Sequence, residues 1–171
     1  YPLSPRWGGL RAMQGERFLL RLTKEIMEEM ARHACEAFPE ECCGVILAGE
    51  RGDTLRRCTN IQNRLHAENP VAHPRDARTA YYIDPVEVQQ ILNEADRAGW
   101  GIKALYHSHP DHEAYFSAED RAKAVAPWGD PLFGDAAYVG VSVFDRQVRL
   151  IKAFAWNPST KGFTEVPIEA V

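Results

Sequence analysis

The sequence lacks a long apolar run, a cluster of basic residues and a CxxC pair. The apolar stretch at 133–144 is shorter than the roughly 20 residues that a membrane helix needs, and Asp135 interrupts it. Lys and Arg total 20 against 24 Asp and Glu, which gives a net charge of −4. Because nucleic-acid binders usually present a basic face, we expect neither a membrane nor a nucleic-acid partner.

The beginning of the chain lacks the basic-then-apolar layout of a secretory signal. Two prolines and a Gly-Gly pair there predict a flexible tail over residues 1–16, followed by one domain over residues 17–171. The cysteines have no metal-binding spacing, as is typical of reduced, cytoplasmic proteins; they are Cys35, Cys42, Cys43 and Cys58. The oligomeric state stays open.

Hydrophobic periodicity predicts an α/β domain with helices on a mixed central β-sheet. Helices are predicted at 23–38, 84–99 and 117–126, with Thr23, Asp84 and Ser117 as caps. Strands are predicted at 17–22, 42–49, 53–60, 81–83, 101–109, 137–144, 147–156 and 163–168. Residues 61–80 show no period, so we predict a long polar loop, a feature that is often functional.

Two histidines end one predicted strand and an acid begins the next predicted helix. His107 and His109 are two residues apart, so both side chains point to one face of the strand. Pro110 ends that strand, and Ser117 caps a helix whose first turn contains Asp120. Two imidazoles and one carboxylate leave a fourth tetrahedral position for water, which is the arrangement of a catalytic zinc site.

Hydrolysis at such a site also needs a general base. Glu41, at the start of the predicted strand 42–49, is the candidate, and its neighbour Glu40 would face another way. Each residue also has a purely structural interpretation. Glu41 could be a solvated loop carboxylate, Asp120 and Ser117 could be helix caps, and the histidines could be a surface or core pair with ordinary hydrogen-bond partners. The sequence alone leaves these interpretations open.

The spacing His-Ser-His-Pro, six residues, Ser117, two residues, Asp120 resembles the signature of the JAMM (MPN+) metalloproteases, and "PEECCGVILAG" resembles the segment of the bacterial form that carries a glutamate two residues before Cys-Gly. The resemblance extends from Phe18 to Glu165 in element order and is that of a bacterial single-domain member. It implies an MPN/JAMM fold of cytidine-deaminase-like architecture.

The resemblance also implies roles for residues of this chain. It implies Zn²⁺ held by His107, His109 and Asp120, with Glu41 as the base that takes a proton from water and gives it to the leaving amine. Ser117 would stabilise the oxyanion, as a hydroxyl near a polarised carbonyl can. Tyr115 and Phe116, which flank the site in sequence, are candidates for a wall of the substrate groove.

The function implied is hydrolysis of an amide or isopeptide bond after the C-terminal Gly-Gly tail of a ubiquitin-like or sulfur-carrier protein. Two versions stay open, removal of a conjugated modifier from lysine and release of a small adduct such as cysteine from a sulfur carrier. The loop 61–80 is not the insertion expected of eukaryotic ubiquitin-chain enzymes, and the resemblance gives no role to Asp111, His112 or Glu113.

Two other classes compete with this interpretation. A non-catalytic scaffold of the same fold would have lost metal ligands, whereas all the ligand positions are present here. A serine or cysteine hydrolase would use Ser108 or Cys42 with His107, but no nucleophile-elbow pattern accompanies these residues.

Overall fold

The structure is a computed structural model that describes residues 18–171. The tail predicted at 1–16 lies outside the described residues, as does residue 17. The elements, in chain order, are β1 (Leu20–Leu22), α1 (Lys24–Ala37), β2 (Cys43–Gly49), β3 (Gly52–Cys58), α2 (Gln62–Glu68), α3 (Pro85–Ala98), β4 (Gly101–Pro110), α4 (Ala118–Ala124), β5 (Ala137–Phe144), β6 (Gln147–Asn157), β7 (Gly162–Val166) and β8 (Ile168–Ala170).

Six strands form the central sheet in the order β3-β2-β4-β5-β6-β7. Only β4 and β5 run parallel to each other, and the other neighbours are antiparallel. A parallel pair needs a crossover, and the segment that contains α4 supplies it. The mixed α/β class predicted from the sequence is therefore confirmed.

One face of this sheet is covered by α1 and by the separate two-stranded sheet β1-β8. The core on that face is almost wholly apolar; its fully buried members include Leu20, Leu22, Met30, Ile46, Val139, Val141 and Val143. On the opposite face, α3 packs over Val45 and Leu47. Successive strand residues point to opposite faces, so β2 supplies both cores.

Local sequence sets the ends of the two long helices. The Thr23 side chain accepts a hydrogen bond from the Ile26 amide, and Asp84 does the same for Val86. Gly99 ends α3 in the left-handed conformation, with φ 71°, which favours glycine. The predicted helices at 23–38 and 84–99 are confirmed.

Three details differ from the sequence prediction. The segment 61–80 is not wholly irregular, because α2 occupies Gln62–Glu68; seven residues are too few to show a clear period. Residues 81–83 form only an isolated bridge, Asn60 with Ile83, instead of a strand. The segment 163–168 divides between β7 and β8, and β8 pairs with β1. No helix among residues 18–171 is long and apolar enough to cross a bilayer.

Candidate metal centre

The two histidines lie at the end of β4, in the middle of the sheet. His107 pairs with Cys43 of β2 on one side and with Gly140 of β5 on the other. As predicted from their spacing, the His107 and His109 rings share a face, with ring centroids 4.6 Å apart. Both are buried, at 2% and 6% exposure, so their environment is set by protein atoms.

The beginning of α4 brings a carboxylate to the same place. The Ser117 hydroxyl oxygen accepts a hydrogen bond from the Asp120 amide, and the Ser117 amide donates to Asp120 Oδ2, both at 3.0 Å. This capping box fixes the side chain of Asp120 as well as the helix end. The cap interpretation of Ser117 and Asp120 is thus correct, and it is compatible with ligation because the same contacts orient the carboxylate.

His107, His109 and Asp120 offer ligand atoms that lie within 4.8 Å of one another, and all three residues are buried. Nε2 of His107 is 3.3 Å from Oδ2 of Asp120, yet the Nε2 atoms of both histidines are buried without a hydrogen-bond partner. Buried polar atoms are nearly always paired. A divalent cation between the two nitrogens and the carboxylate would satisfy them, so the residues present fit a metal ion.

The protonation states of the cluster also suit a cation. Burial, followed by the neighbouring His107, lowers the pKa of His109 to about 3, so this ring is neutral at pH 7. Burial opposes ionisation of Asp120, but His107 and the Ser117 amide outweigh it and hold the pKa well below its usual range. Neutral imidazole and ionised carboxylate are the forms that bind metals.

Glu41 lies just before β2 and is buried, at 7% exposure. Burial and the charge of Asp120 raise its pKa to about 8, and Lys123 and Arg75 partly offset the shift. Glu40, in contrast, is exposed, and its carboxylate accepts a hydrogen bond from Asn63. The structure thus separates the two adjacent acids as the sequence predicted, and it excludes a solvated loop carboxylate for Glu41.

Two residues that sequence analysis did not assign support the histidine rings. The Tyr81 ring stacks on His107, with centroids 4.3 Å apart and planes at 19°. A Cβ atom at Gly140 would lie 3.4 Å from Cδ2 of His109, so that ring packs directly over the glycine. A glycine inside a strand often marks such a close approach, which is a signal that the sequence contained; Tyr81 carried no comparable signal.

The two aromatic residues before α4 have different positions. Tyr115 is half exposed, and its ring centroid is 5.3 Å from that of His109. Phe116 is buried at 7% exposure in an aromatic cluster with Tyr138, Phe154 and Phe163. The interpretation of Phe116 as part of a groove wall is therefore corrected: its ring supports the domain core.

Ser108 and Cys42, the nucleophiles of the competing mechanism, have structural roles instead. Ser108 is fully buried, and its hydroxyl oxygen accepts a hydrogen bond from the Cys42 amide at 2.7 Å. Burial raises the pKa of the Cys42 thiol to about 11, so little thiolate forms at pH 7. Cys42 and Cys43 belong to the cores on opposite faces of the sheet, as small apolar residues do.

A small cleft of about 140 Å³ reaches Glu119, the residue before Asp120. It lies between the segment 61–82 and α4, and its lining residues are Gln62, Ala72, His73, Pro74, Arg75, Tyr82, Glu119 and Lys123. Lys123 also donates a hydrogen bond to the Tyr81 carbonyl, next to the ring that stacks on His107. The segment predicted as a polar loop therefore contributes to the surroundings of the site.

Comparisons with known proteins place this geometry in a family. Residues 23–157 match the family described as prokaryotic homologs of the JAB domain. A desampylase from Haloferax volcanii is 33% identical over 112 residues, 63% of this chain and 74% of the relative. A CysO-cysteine peptidase from Mycobacterium tuberculosis is 30% identical over 158 residues, 92% of this chain and 95% of the relative.

A solved structure supports the fold. The solution structure of a protein from Desulfitobacterium hafniense has a TM-score of 0.65 at 24% identity, and the match covers 89% of this chain and 92% of that one. The family match extends over 23–157, which includes Glu41, both histidines and Asp120. The chain belongs to the family of prokaryotic JAB-domain homologues.

Proposed function

We propose that this chain is a zinc-dependent peptidase or isopeptidase that cleaves after the C-terminal Gly-Gly tail of a ubiquitin-like or sulfur-carrier protein. The observation that carries the proposal is the pair of buried, unpartnered Nε2 atoms of His107 and His109, together with the carboxylate of Asp120 within 4.8 Å. A two-nitrogen, one-oxygen donor set is that of catalytic zinc sites, which leave one position open.

A zinc ion bound there would polarise the substrate carbonyl and lower the pKa of the attacking water. We assign Glu41 as the residue that takes the proton from that water and transfers it to the leaving nitrogen. Burial and the charge of Asp120 raise the pKa of Glu41 in the metal-free protein, and a bound divalent cation would lower it again, which gives the ionised carboxylate that can accept a proton. Its burial also keeps bulk water away from the transferred proton.

Ser117 has two tasks in this proposal. Its backbone amide holds Asp120 Oδ2 in place at 3.0 Å, which orients the carboxylate toward the cation. Its hydroxyl oxygen accepts from the Asp120 amide, and the hydroxyl proton remains free to donate. We infer that this proton stabilises the negative charge that develops on the substrate carbonyl oxygen.

The proposed substrate class rests on the named relatives. Relatives in the comparison are named as a desampylase, a CysO-cysteine peptidase and a probable TtuB-protein conjugate cleaving protease. The half-exposed Tyr115, whose ring centroid is 5.3 Å from that of His109, is the candidate for one wall of the groove that takes the tail.

A second version of the function is release of cysteine from a sulfur-carrier adduct. The observation that favours it is the extent of the match to the CysO-cysteine peptidase, which covers 92% of this chain and 95% of that protein. The two versions share the metal centre and the base, and they differ only in the leaving group. The four cysteines are all unpaired thiols, as in a reducing compartment, and we infer that the chain works in the cytoplasm.

The test uses two carriers that end in Gly-Gly, one joined to a lysine side chain and one joined to cysteine. The zinc-loaded protein is incubated with each, and the products are followed by mass. We expect Glu41→Gln to bind zinc normally and to lose turnover by about 10²- to 10⁴-fold, the usual contribution of a general base. Glu40→Gln, at the adjacent exposed acid, is the matched control and keeps full turnover. Equal turnover of Glu41→Gln and the parent protein would remove Glu41 from the mechanism.

A further inference from the structure

Asn60, between β3 and α2, has hydrogen bonds at all four positions of its side-chain amide. Nδ2 donates to the carbonyl of Glu41 at 2.8 Å and to the carbonyl of Ala80 at 3.2 Å. Oδ1 accepts from the amides of Gln62 and Tyr82, both at 3.0 Å. An asparagine has two donors and two acceptor positions, so its capacity is filled.

The orientation of this amide is defined by its partners. Both partners of the nitrogen are carbonyl oxygens, and both partners of the oxygen are backbone N–H groups. A flipped amide would put like groups together at all four contacts. The side chain therefore acts as a fixed bridge between three separate segments of the chain.

The bridge joins the two parts of the metal centre. Nδ2 holds the carbonyl of Glu41. The same nitrogen also holds the Ala80 carbonyl, and Oδ1 holds the Tyr82 amide, so the peptide groups on both sides of Tyr81 are fixed. Because the Tyr81 ring stacks on His107 at 4.3 Å, a single side chain connects the backbone of the buried acid to the support of a predicted metal ligand.

The other side of Glu41 is fixed as well. The Glu41 amide donates to the carbonyl of Ala77 at 2.7 Å. The next residue, Cys42, donates its amide to the Ser108 hydroxyl at 2.7 Å and accepts from the Ser108 amide at 3.1 Å. Ser108 lies between the two histidines, so it ties the acid to β4, whereas Asn60 ties it to the segment around Tyr81.

We propose that Asn60 is a positioning residue for the reaction: its four hydrogen bonds fix the backbone of Glu41 relative to Tyr81 and thereby relative to His107. This inference rests on the proposed function, in which Glu41 is the general base. An error of about 1 Å in the position of a catalytic group can cost on the order of 100-fold in rate. A fixed backbone on both sides of the base limits such errors.

A purely structural role for Asn60, which would keep the segment 59–84 folded, makes a different prediction. That segment has hydrogen bonds that do not involve the Asn60 side chain, from the Ile61 amide to the Tyr82 carbonyl at 2.9 Å and from the Asp84 amide to the Thr59 carbonyl at 3.2 Å. These contacts remain when the side chain is removed. The loss should therefore appear at Glu41 and not as a general opening of the segment.

The test compares Asn60→Ala with Asn69→Ala. Asn69 lies in the same part of the chain and accepts from the Ala72 amide at 3.1 Å, but it has no hydrogen bond to Glu41 or Tyr81. With the substrate that the parent protein cleaves, we expect Asn60→Ala to lower kcat about 10- to 100-fold with little change in KM and one zinc per chain. Asn69→Ala keeps the parent kcat.

A second measurement needs neither metal nor substrate. In the metal-free protein, amide hydrogen exchange at Gln62 and Tyr82, which donate to Asn60 Oδ1, should become about tenfold faster in Asn60→Ala, as a lost hydrogen bond predicts. Exchange at Ile61, whose bond to Tyr82 remains, should stay slow. If Asn60→Ala does not fold, Asn60→Asp keeps both accepted bonds and loses both donated ones, so the ¹³C resonance of the Glu41 carbonyl should shift while the Gln62 and Tyr82 amides stay protected.

The outcomes separate the two proposals. If the parent protein cleaves neither substrate, the proposed function fails, and the exchange measurement still tests the bridge. If the parent protein is active and Asn60→Ala or Asn60→Asp keeps the parent kcat, Asn60 is not a positioning residue. Equal exchange at Gln62 and Tyr82 in the parent and in Asn60→Ala, or a Glu41 carbonyl resonance that is the same in the parent and in Asn60→Asp, would overturn the bridge itself.

Discussion

The two faces of the six-stranded sheet are built from different kinds of residue. The face covered by α1 contains apolar side chains and one prominent polar contact, between Tyr106 and His33 at 2.7 Å. The opposite face, at the end of β4, holds the buried acids and imidazoles: Glu41, His107, His109 and Asp120. One face therefore stabilises the sheet through apolar packing. The other face buries polar side chains, which lower stability unless a ligand such as a cation binds them.

If this division is correct, substitutions on the two faces should separate metal binding from stability. The largest expected effect is at the metal-centre face. Asp120→Asn keeps the size of the side chain and an oxygen that can accept from the Ser117 amide, but it removes the charge that a cation needs. We expect zinc affinity to fall by more than about 100-fold, beyond what loss of an outer partner costs.

Isothermal titration of the metal-free protein with zinc measures this effect. Asp84→Asn is the matched control, because Asp84 also caps a helix, by accepting from the Val86 amide at 2.9 Å, and lies outside the His-His-Asp cluster. Both variants should lose similar, small amounts of stability. Zinc affinity that falls equally in both variants would contradict the assignment of Asp120.

The next largest effect is expected on the α1 face. A Cβ atom at Gly44 would lie 2.3 Å from Cε1 of the fully buried Tyr106, which cannot be accommodated without movement. We expect Gly44→Ala to lower the free energy of unfolding by about 1 to 3 kcal/mol, as overpacked cores do. Urea denaturation of the metal-free protein gives the value, and an unchanged midpoint would show that the core yields more easily than the structure indicates.

A substitution at Gly140, in the strand beside the two histidines, should affect zinc binding more than stability. At Gly140 an added Cβ would lie 3.4 Å from Cδ2 of His109, and the further methyl groups of valine would press on that ring. We expect Gly140→Val to weaken zinc binding about 10- to 100-fold, as changes in the residues that orient a ligand do. The control is the next residue, Val141, which packs in the core on the α1 face. Val141→Ala should lower stability and leave zinc affinity unchanged.

The smallest effect concerns the dependence of stability on pH. In the metal-free protein the pKa of Glu41 is raised from 4.5 to about 8, so between these values the folded protein keeps a proton that the unfolded chain releases. The contribution of Glu41 to stability therefore falls as pH rises through this window, whereas the lowered pKa of His109 acts in the opposite sense below pH 6.5. Glu41→Gln should flatten that slope and raise the free energy of unfolding at pH 8 by an amount on the order of 1 kcal/mol or more.

Thermal unfolding in the presence of a chelator, from pH 5 to pH 8, checks this prediction. Glu40→Gln is again the control, because Glu40 is exposed and should leave the slope unchanged. A parallel pH dependence in the parent and in Glu41→Gln would mean that Glu41 is ionised in the folded protein at neutral pH.

Local patterns predicted the parts of the molecule that depend on nearby residues. The caps at Thr23, Asp84 and Ser117, the helices α1 and α3, and the shared face of His107 and His109 follow from neighbours within a few positions. The sequence also predicted that the end of β4 meets the beginning of α4, because the two are close along the chain.

Contacts between distant segments were not predicted. Tyr81 stacks on His107 from 26 positions away, and Asn60 reaches Glu41 across 19 residues. Nothing in a short window signals such contacts, because they depend on how the segment 59–84 returns to the sheet. The short helix α2 was missed for a different reason, because seven residues are too few to show a clear period.

The most direct test of the account is a crystal structure of the zinc-soaked protein with anomalous diffraction recorded at the zinc edge. We predict one strong anomalous peak, about 2.0 to 2.2 Å from Nε2 of His107, Nε2 of His109 and a carboxylate oxygen of Asp120, the usual zinc distances. A peak at another site, or none among these three side chains at full zinc loading, would contradict the account.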